Sequence, residues 1–199
     1  MGSGKNGSFD TVPDLRQWAI LLVLKHINDE TEGPGLIPQI LGSFISFYLQ
    51  VCRINLKAYL LQPIECHGLW NGKTVFGNLP RKTGFEGKIA VLTRATIRLN
   101  RLGQFWKNVP AASAEMKQAN GFETSYGIGE IPWIKQATFS IWRSKADMQA
   151  FAYGMQHHRE VIRKTRENNW YSEEMFARFK VLAQWEGQFV NWDRVSSHD

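Results

Sequence analysis

Apolar and polar positions alternate from Ala137 to Trp142. Thr138, Ser140 and Trp142 face one way and Phe139 and Ile141 the other, which predicts a half-buried strand. Ser144 follows as a helix N-cap, with Asp147 in the capping-box position and carrying a charge that suits the first turn. Met148, Phe151, Met155, His158, Ile162 and Thr165 then recur at spacings of three and four, the stripe of one long amphipathic helix. At about 100° per residue, His158 falls within about 40° of the centre of that stripe and His157 about 140° away. His158 is therefore expected to point into the apolar interior and His157 towards water.

The rest of the chain reads as elements of similar size. Gln17 to Lys25 (QWAILLVLK) is a continuous apolar run and predicts a buried strand, followed by a turn-rich linker from Asn28 to Pro34. Leu36 to Val51 places Ile37, Ile40, Leu41, Phe44, Tyr48 and Val51 at helical spacing. Pro38, Gln39, Ser43, Ser46 and Gln50 interrupt it too often for a membrane-spanning helix. It predicts a core-facing helix, with a greasy lid or membrane-contacting face as the alternative. Leu56 to Leu61 reads as a strand, and Asn71-Gly72 as a turn. The polar, Gly-rich stretch from Leu79 to Gly87 marks a seam between two halves, 1–78 and 79–199. Beyond it come a strand from Lys88 to Thr93 running into Arg94–Arg98, a helix over Arg101–Gln118, strands at Phe122–Ile128 and Lys135–Trp142, and the His158 helix. Asn169 to Gln184 reads as a last helix, capped by Ser172 with Glu173 and Glu174 in its first turn. That order predicts an α+β, ferredoxin-like fold, an antiparallel sheet with helices packed on one face.

Composition narrows the class without naming a function. With 199 residues, 43% hydrophobic and 21% charged, the chain is an ordinary globular protein able to bury a sizeable core. Aromatic residues make up 13%, which suits a pocket for a flat or extended apolar ligand but equally a packed core. The net charge of +6 comes from scattered basic residues with no nucleic-acid motif, so nucleic acid is excluded. Peripheral contact with an anionic membrane leaflet remains as the partner such a charge would suit. Cys52 and Cys66 have no metal-binding or haem-attaching spacing, and the N-terminus lacks the apolar core of a secretory signal. Reduced thiols in a cytoplasmic compartment are expected. GIGE, the nearest approach to a dinucleotide-binding glycine motif, follows a strand but opens no helix and is discounted.

A neutral imidazole in an apolar niche, as expected for His158, is either a core histidine bonded to a backbone carbonyl or an axial ligand for haem iron. Periodicity does not choose between them. The wording of the chain does. ATFSIW, AFAY and the histidine followed by REVIRKTRENNWYSEEMFARF closely resemble the spheroidene monooxygenase family of carotenoid-modifying enzymes. The resemblance extends through LQPIECHGLWNGKTVFG (Leu61–Gly77), GKIAVLTRATIR (Gly87–Arg98), FWKNVPAA (Phe105–Ala112) and YGIGEIPWIKQATFSIW (Tyr126–Trp142), in the family's order.

The resemblance implies a dimeric α/β-barrel of ferredoxin-like halves, a non-covalent haem b with its iron, and dioxygen-dependent oxidation of a carotenoid or other long apolar substrate. Met1–Phe9 reads either as a tag remnant or as an internal stretch of the family, so the first half is expected to begin partway into the family's pattern. The histidine that precedes one residue and then Glu is His158, with Arg159 and Glu160 after it, and the axial role is carried to it. Phe151, Met155 and Ile162 on the same stripe are the expected walls of the haem slot. Arg94 and Arg98 lie on one side of an extended segment and are the candidates to hold a propionate or polarise an iron-bound oxygen ligand, since a guanidinium binds carboxylate bidentately. Ser140, Gln136 and Glu130 are distal candidates, and Trp106 and Trp142 could border the polyene. The implied reaction is successive hydroxylation of one methylene to a ketone. Its electrons come from an external, ferredoxin-like donor, because no flavin or nicotinamide motif is visible. The alternatives are a haem- or lipophile-binding protein of the same fold without turnover, and another haem enzyme of the aldoxime dehydratase or peroxidase type.

Overall fold

The computed structural model describes residues 2, 4, 9, 11–24, 33–154 and 156–189, and among these the side chains of all but 33, 34, 36, 156–159 and 162. In chain order the elements are α1 (Gly33–Val51), β1 (Asn55–Gly68), β2 (Ile89–Ile97), α2 (Leu102–Gln118), β3 (Phe122–Ile131), β4 (Lys135–Trp142), α3 (Lys145–Gly154), α4 (Gln156–Glu167) and β5 (Tyr171–Gln188). The strands form one sheet in the order β1-β5-β2-β4-β3, with β2 antiparallel to both β4 and β5 and β3 antiparallel to β4. From β2 onwards the connectivity and the order β5-β2-β4-β3 are those of the ferredoxin-like pattern.

The chain divides into two compact units, residues 1–23 with 63–180 and residues 24–62 with 181–199. β1 and β5 are long strands that each run through a unit boundary. In the first unit, Ile89, Trp142, Met148, Phe151 and Ala119 form one core cluster between the sheet and the helices. Trp142 anchors it, stacked on Phe151 (centroids 5.2 Å) and edge-on to Phe122 (5.5 Å). A second cluster gathers Ile97, Phe105, Trp106, Val109 and Trp170, with Val161 of α4 against it. Each such aromatic side chain contributes about 2–3 kcal/mol when fully buried. In the second unit, Trp185 and Phe189 pack with Ile37, Leu49, Leu56 and Leu60, and Phe189 N donates to Ile54 O at 3.1 Å.

Three expectations are corrected. Tyr171–Gln188 is a strand, not a helix. The Ser172-Glu173-Glu174 triplet imitates a helix start, but α4 has already ended at Asn169, which takes the left-handed conformation (φ 49°) that closes helices. Met175, Ala177 and Phe179 then alternate with Glu174, Phe176 and Arg178, the period of a strand. The second correction concerns Gln17–Lys25: residues 17–24 are not a buried strand but irregular chain, with Trp18 75% and Ile20 67% exposed. The third concerns α1, which is not simply core-facing: Ile37 and Leu49 pack inward while Phe44 (84%), Phe47, Tyr48 and Val51 are exposed. Gly42 (φ 75°) kinks it.

The residues expected to form the His158 helix are described as α3 (Lys145–Gly154) and α4 (Gln156–Glu167), with Met155 outside the described residues. Of this stretch, Met148 and Phe151 belong to one cluster and Val161 packs on the other. The N-terminus is as expected: Ser144 Oγ accepts from Asp147 N at 3.1 Å.

Gly68 closes β1 at φ 84°, and a Cβ there would stand 2.1 Å from Glu174 O on β5. Gly68→Ala is expected to lower unfolding stability by about 2 kcal/mol or more. Gly103→Ala in α2, where an added Cβ meets nothing within 4 Å, is expected to raise it by about 0.5–1 kcal/mol. Urea unfolding of both variants beside the parent checks the pair.

Candidate active site

Residues 89, 91, 93, 95 and 97 of β2 point to the helices, and 90, 92, 94 and 96 to the opposite face. Ile89 and Ile97 sit in the helix-side clusters, and strand side chains alternate. Register extends the division: Ala95 faces Gln136, Thr93 faces Thr138, and Val91 faces Ser140 and Arg178. The helix side is thus lined by Gln136, Thr138, Ser140, Phe176 and Arg178. Arg94, Met175, Ala177 and Phe179 belong to the other side.

On that other side Arg94 is wholly buried, 0% exposed. Its Nε and Nη2 donate to the two oxygens of Glu130 at 2.8 and 3.0 Å, its Nη1 to Glu173 at 2.5 Å, and its Nη2 also to Asn71 Oδ1 at 3.0 Å. The Trp70 ring lies 5.2 Å from the guanidinium carbon. Burial works against this charge, but the bonds to Glu130 and Glu173 outweigh it and raise the guanidinium pKa. Asn71 and Gly72, both at positive φ, form the tight turn read from the sequence, and their N–H groups donate to the Glu173 carboxylate at 2.8 and 2.7 Å. Burial would raise the Glu173 pKa, but these bonds and Arg94 bring it below its ordinary value.

On the helix side Glu65 of β1, 1% exposed, accepts from Lys145 Nζ (2.7 Å), Thr83 N (2.7 Å), Thr83 Oγ1 (2.9 Å) and Arg178 Nη1. Lys145 also donates to Thr83 O. Burial alone would raise the Glu65 pKa; the four donors together hold it down at about 2. One carboxylate thereby ties the start of α3 to β1, β5 and the 69–87 segment. Two strand positions on, His67 stacks on Phe176 (centroids 5.0 Å). Burial, then the charges of Arg178 and Arg81, depress its pKa and keep the imidazole neutral.

Among the described residues, those expected to surround a haem have the following surroundings. Arg94, expected to hold a propionate or polarise an iron-bound oxygen ligand, is on the face away from the helices, with four of its N–H groups donating to protein acceptors. Arg98 is exposed, at a shallow depression with Thr96, Leu99, Asn100, Ile134 and Ser172. Ser140 accepts from Trp142 Nε1 at 2.9 Å, and Phe151 fills core, so neither lines an open slot. Trp106 donates to Trp133 O at 3.2 Å within the second cluster, and Trp142 anchors the first, so both are core. Glu130 serves Arg94. Met155 and the side chains of His157, His158 and Ile162 lie outside the described residues. Gln136 is buried on the helix side with its amide oxygen unpaired. Glu65, Lys145, Arg178 and His67 carried no local signal, since their partners are far apart in sequence.

Glu65→Ala is expected to cost about 3–5 kcal/mol, because it leaves Lys145 and Arg178 buried without their counter-charge. Since Glu65's pKa is lowered by folding, its contribution is full above about pH 4.5 and fades as pH falls towards about 2. Chemical denaturation across that range should show a loss of stability in the parent that is smaller in Glu65→Ala. Arg94→Lys, which keeps the charge but not the fork geometry, should lower stability by about 2–3 kcal/mol in the same assay.

No family model matches the chain. It is 32% identical over 199 residues to the spheroidene monooxygenase of Rhodobacter capsulatus, covering 98% of this chain and 79% of that protein. With the spheroidene monooxygenase of Cereibacter sphaeroides the identity is 34% over 194 residues, covering 94% of this chain and 57% of the relative. Among solved structures, a conserved protein from Methanosarcina mazei aligns with 47% of this chain and 91% of its own at 12% identity and a TM-score of 0.42.

Proposed function

Since the chain belongs to the spheroidene monooxygenase family, we propose that it is an oxidoreductase of the monooxygenase class. In this reading it places an oxygen atom from dioxygen on a carotenoid, hydroxylating a methylene and carrying it on towards a ketone. The observation that carries the proposal is the identity of 32% sustained over 98% of the chain. No side chain described here supplies a redox group, and an unactivated C–H bond is beyond acid–base chemistry, so a cofactor must activate the oxygen.

Haem b with His158 as axial ligand is the proposed cofactor site. The helix side suits it in one respect: His158 belongs to α4 and stands three residues, about one turn, before Val161, which packs on the second core cluster. It fails in another. Arg94, Ser140 and Phe151 are committed to protein partners or to the core. A haem there would supply dioxygen activation. The described residues contribute the frame: the Glu65–Lys145–Arg178 clasp fixes the start of α3, and the Trp142–Phe151 stack fixes its inner face.

The substrate would come from lipid. Trp18, Ile20 and Val23 in the first unit, and Phe44 and Phe47 of the uncharged α1 in the second, are exposed apolar groups suited to peripheral membrane contact. No described helix is long and apolar enough to cross a membrane. An external electron donor and a homodimer complete the proposal.

Hemin added to the purified protein should give a Soret band that His158→Ala abolishes or shifts; an unchanged band would remove His158 as ligand. Produced in a carotenoid-making bacterial host, the protein should yield a new oxygenated pigment. Haem loading without any new pigment would favour a binding protein over an oxygenase.

A further inference from the structure

Gln136 is 3% exposed, and its Oε1 is buried with no hydrogen-bond partner. Its Nε2 donates to Ile131 O at 3.2 Å. A backbone carbonyl only accepts, so the amide cannot turn round, and the oxygen is left as the unpaired atom. An unsatisfied buried acceptor is costly, because it has given up its bond to water for nothing. Its surroundings are small. Gln136 lies between Ala95 of β2 and Gly129 of β3, and the next row along β4 sets Thr138 between Thr93 and Gly127. Both glycines and Ala95 are buried. The two ends of the same face are filled by aromatic groups, around Trp142 at one and around Phe105 and Trp106 at the other. The middle of the helix side thus carries small groups on β2, β3 and β4, with Phe176 of β5 beside Thr93, and one unpaired acceptor among them.

We infer that Gln136 is a specificity residue that accepts a hydrogen bond from the hydroxyl of an oxygenated polyene lying across this face. The inference rests on the carotenoid reading above and adds to it. A hydrocarbon polyene has no O–H or N–H and leaves Oε1 unpaired; a hydroxylated one supplies the missing donor. The site therefore prefers the hydroxylated pigment to its parent, and holds the first product in place for further oxidation.

The test is a titration of the full chain with an acyclic hydroxylated carotenoid and with its hydrocarbon parent in detergent micelles, followed by pigment absorption and tryptophan quenching. One net hydrogen bond corresponds to a preference of about five- to tenfold for the hydroxylated pigment. Gln136→Met should lose that preference and keep its affinity for the hydrocarbon, and without pigment should unfold no earlier than the parent. Equal affinity of the parent protein for both pigments overturns the inference, and this comparison needs no folded variant. So does a preference that survives in Gln136→Met, or a fall in affinity for both pigments together, which marks a structural role. If neither pigment binds, the carotenoid reading fails and takes this inference with it.

Discussion

Side-chain alternation along β2 is the constraint on which the rest depends. Successive residues of a strand point to opposite faces, and β2 sits between β5 and β4 in the sheet. Arg94 and Ala95, neighbours in the chain, therefore belong to different environments. Arg94 enters a closed network of carboxylates and a turn, whereas Ala95 joins Gln136 and Gly129 on a face of small groups. A guanidinium that is saturated and wholly buried holds structure. An acceptor buried without a partner is unfinished, and points to something that completes it.

The two faces are stabilised by different physics. Around Arg94, the Asn71-Gly72 turn presents two N–H groups to Glu173, and Asn71 Oδ1 takes both Arg94 and Lys135. Four of the cation's N–H groups are thereby paired within the protein. On the helix side one carboxylate gathers two cations and a threonine. The gain there depends on every partner being present, because each charge is costly to bury alone. Between these networks, stacked and edge-on aromatic groups fill the ends of the helix side.

Much of this was legible in the sequence where the signal is local. The alternation through Ala137–Trp142, the Ser144 cap, the Asn71-Gly72 turn and the order of elements from β2 to α4 all follow from short-range pattern. Tyr171–Gln188 was misread because a cap-like triplet at its start outweighed the period-two alternation after it. The run at Gln17–Lys25 has the composition of a buried strand, yet residues 18–24 are exposed. The site was less legible than the fold. Arg94 lies on β2, but which face it would take could not be known until β2 was packed, and Arg98 falls just beyond the strand's end. Glu65 meets Lys145 and Arg178 across separations of 80 and 113 residues, and such pairings leave no mark in spacing. The wheel that singled out His158 concerns side chains that lie outside the described residues.

Membership of the spheroidene monooxygenase family is what supports the proposed insertion of oxygen into a carotenoid. The most direct test supplies isotopically heavy dioxygen to the haem-loaded protein with an acyclic carotenoid and a ferredoxin-type reductant, and weighs the first hydroxylated product by mass spectrometry. Heavy oxygen in that product is the predicted result. A hydroxyl whose oxygen comes from water, or a pigment recovered unchanged, would contradict the account.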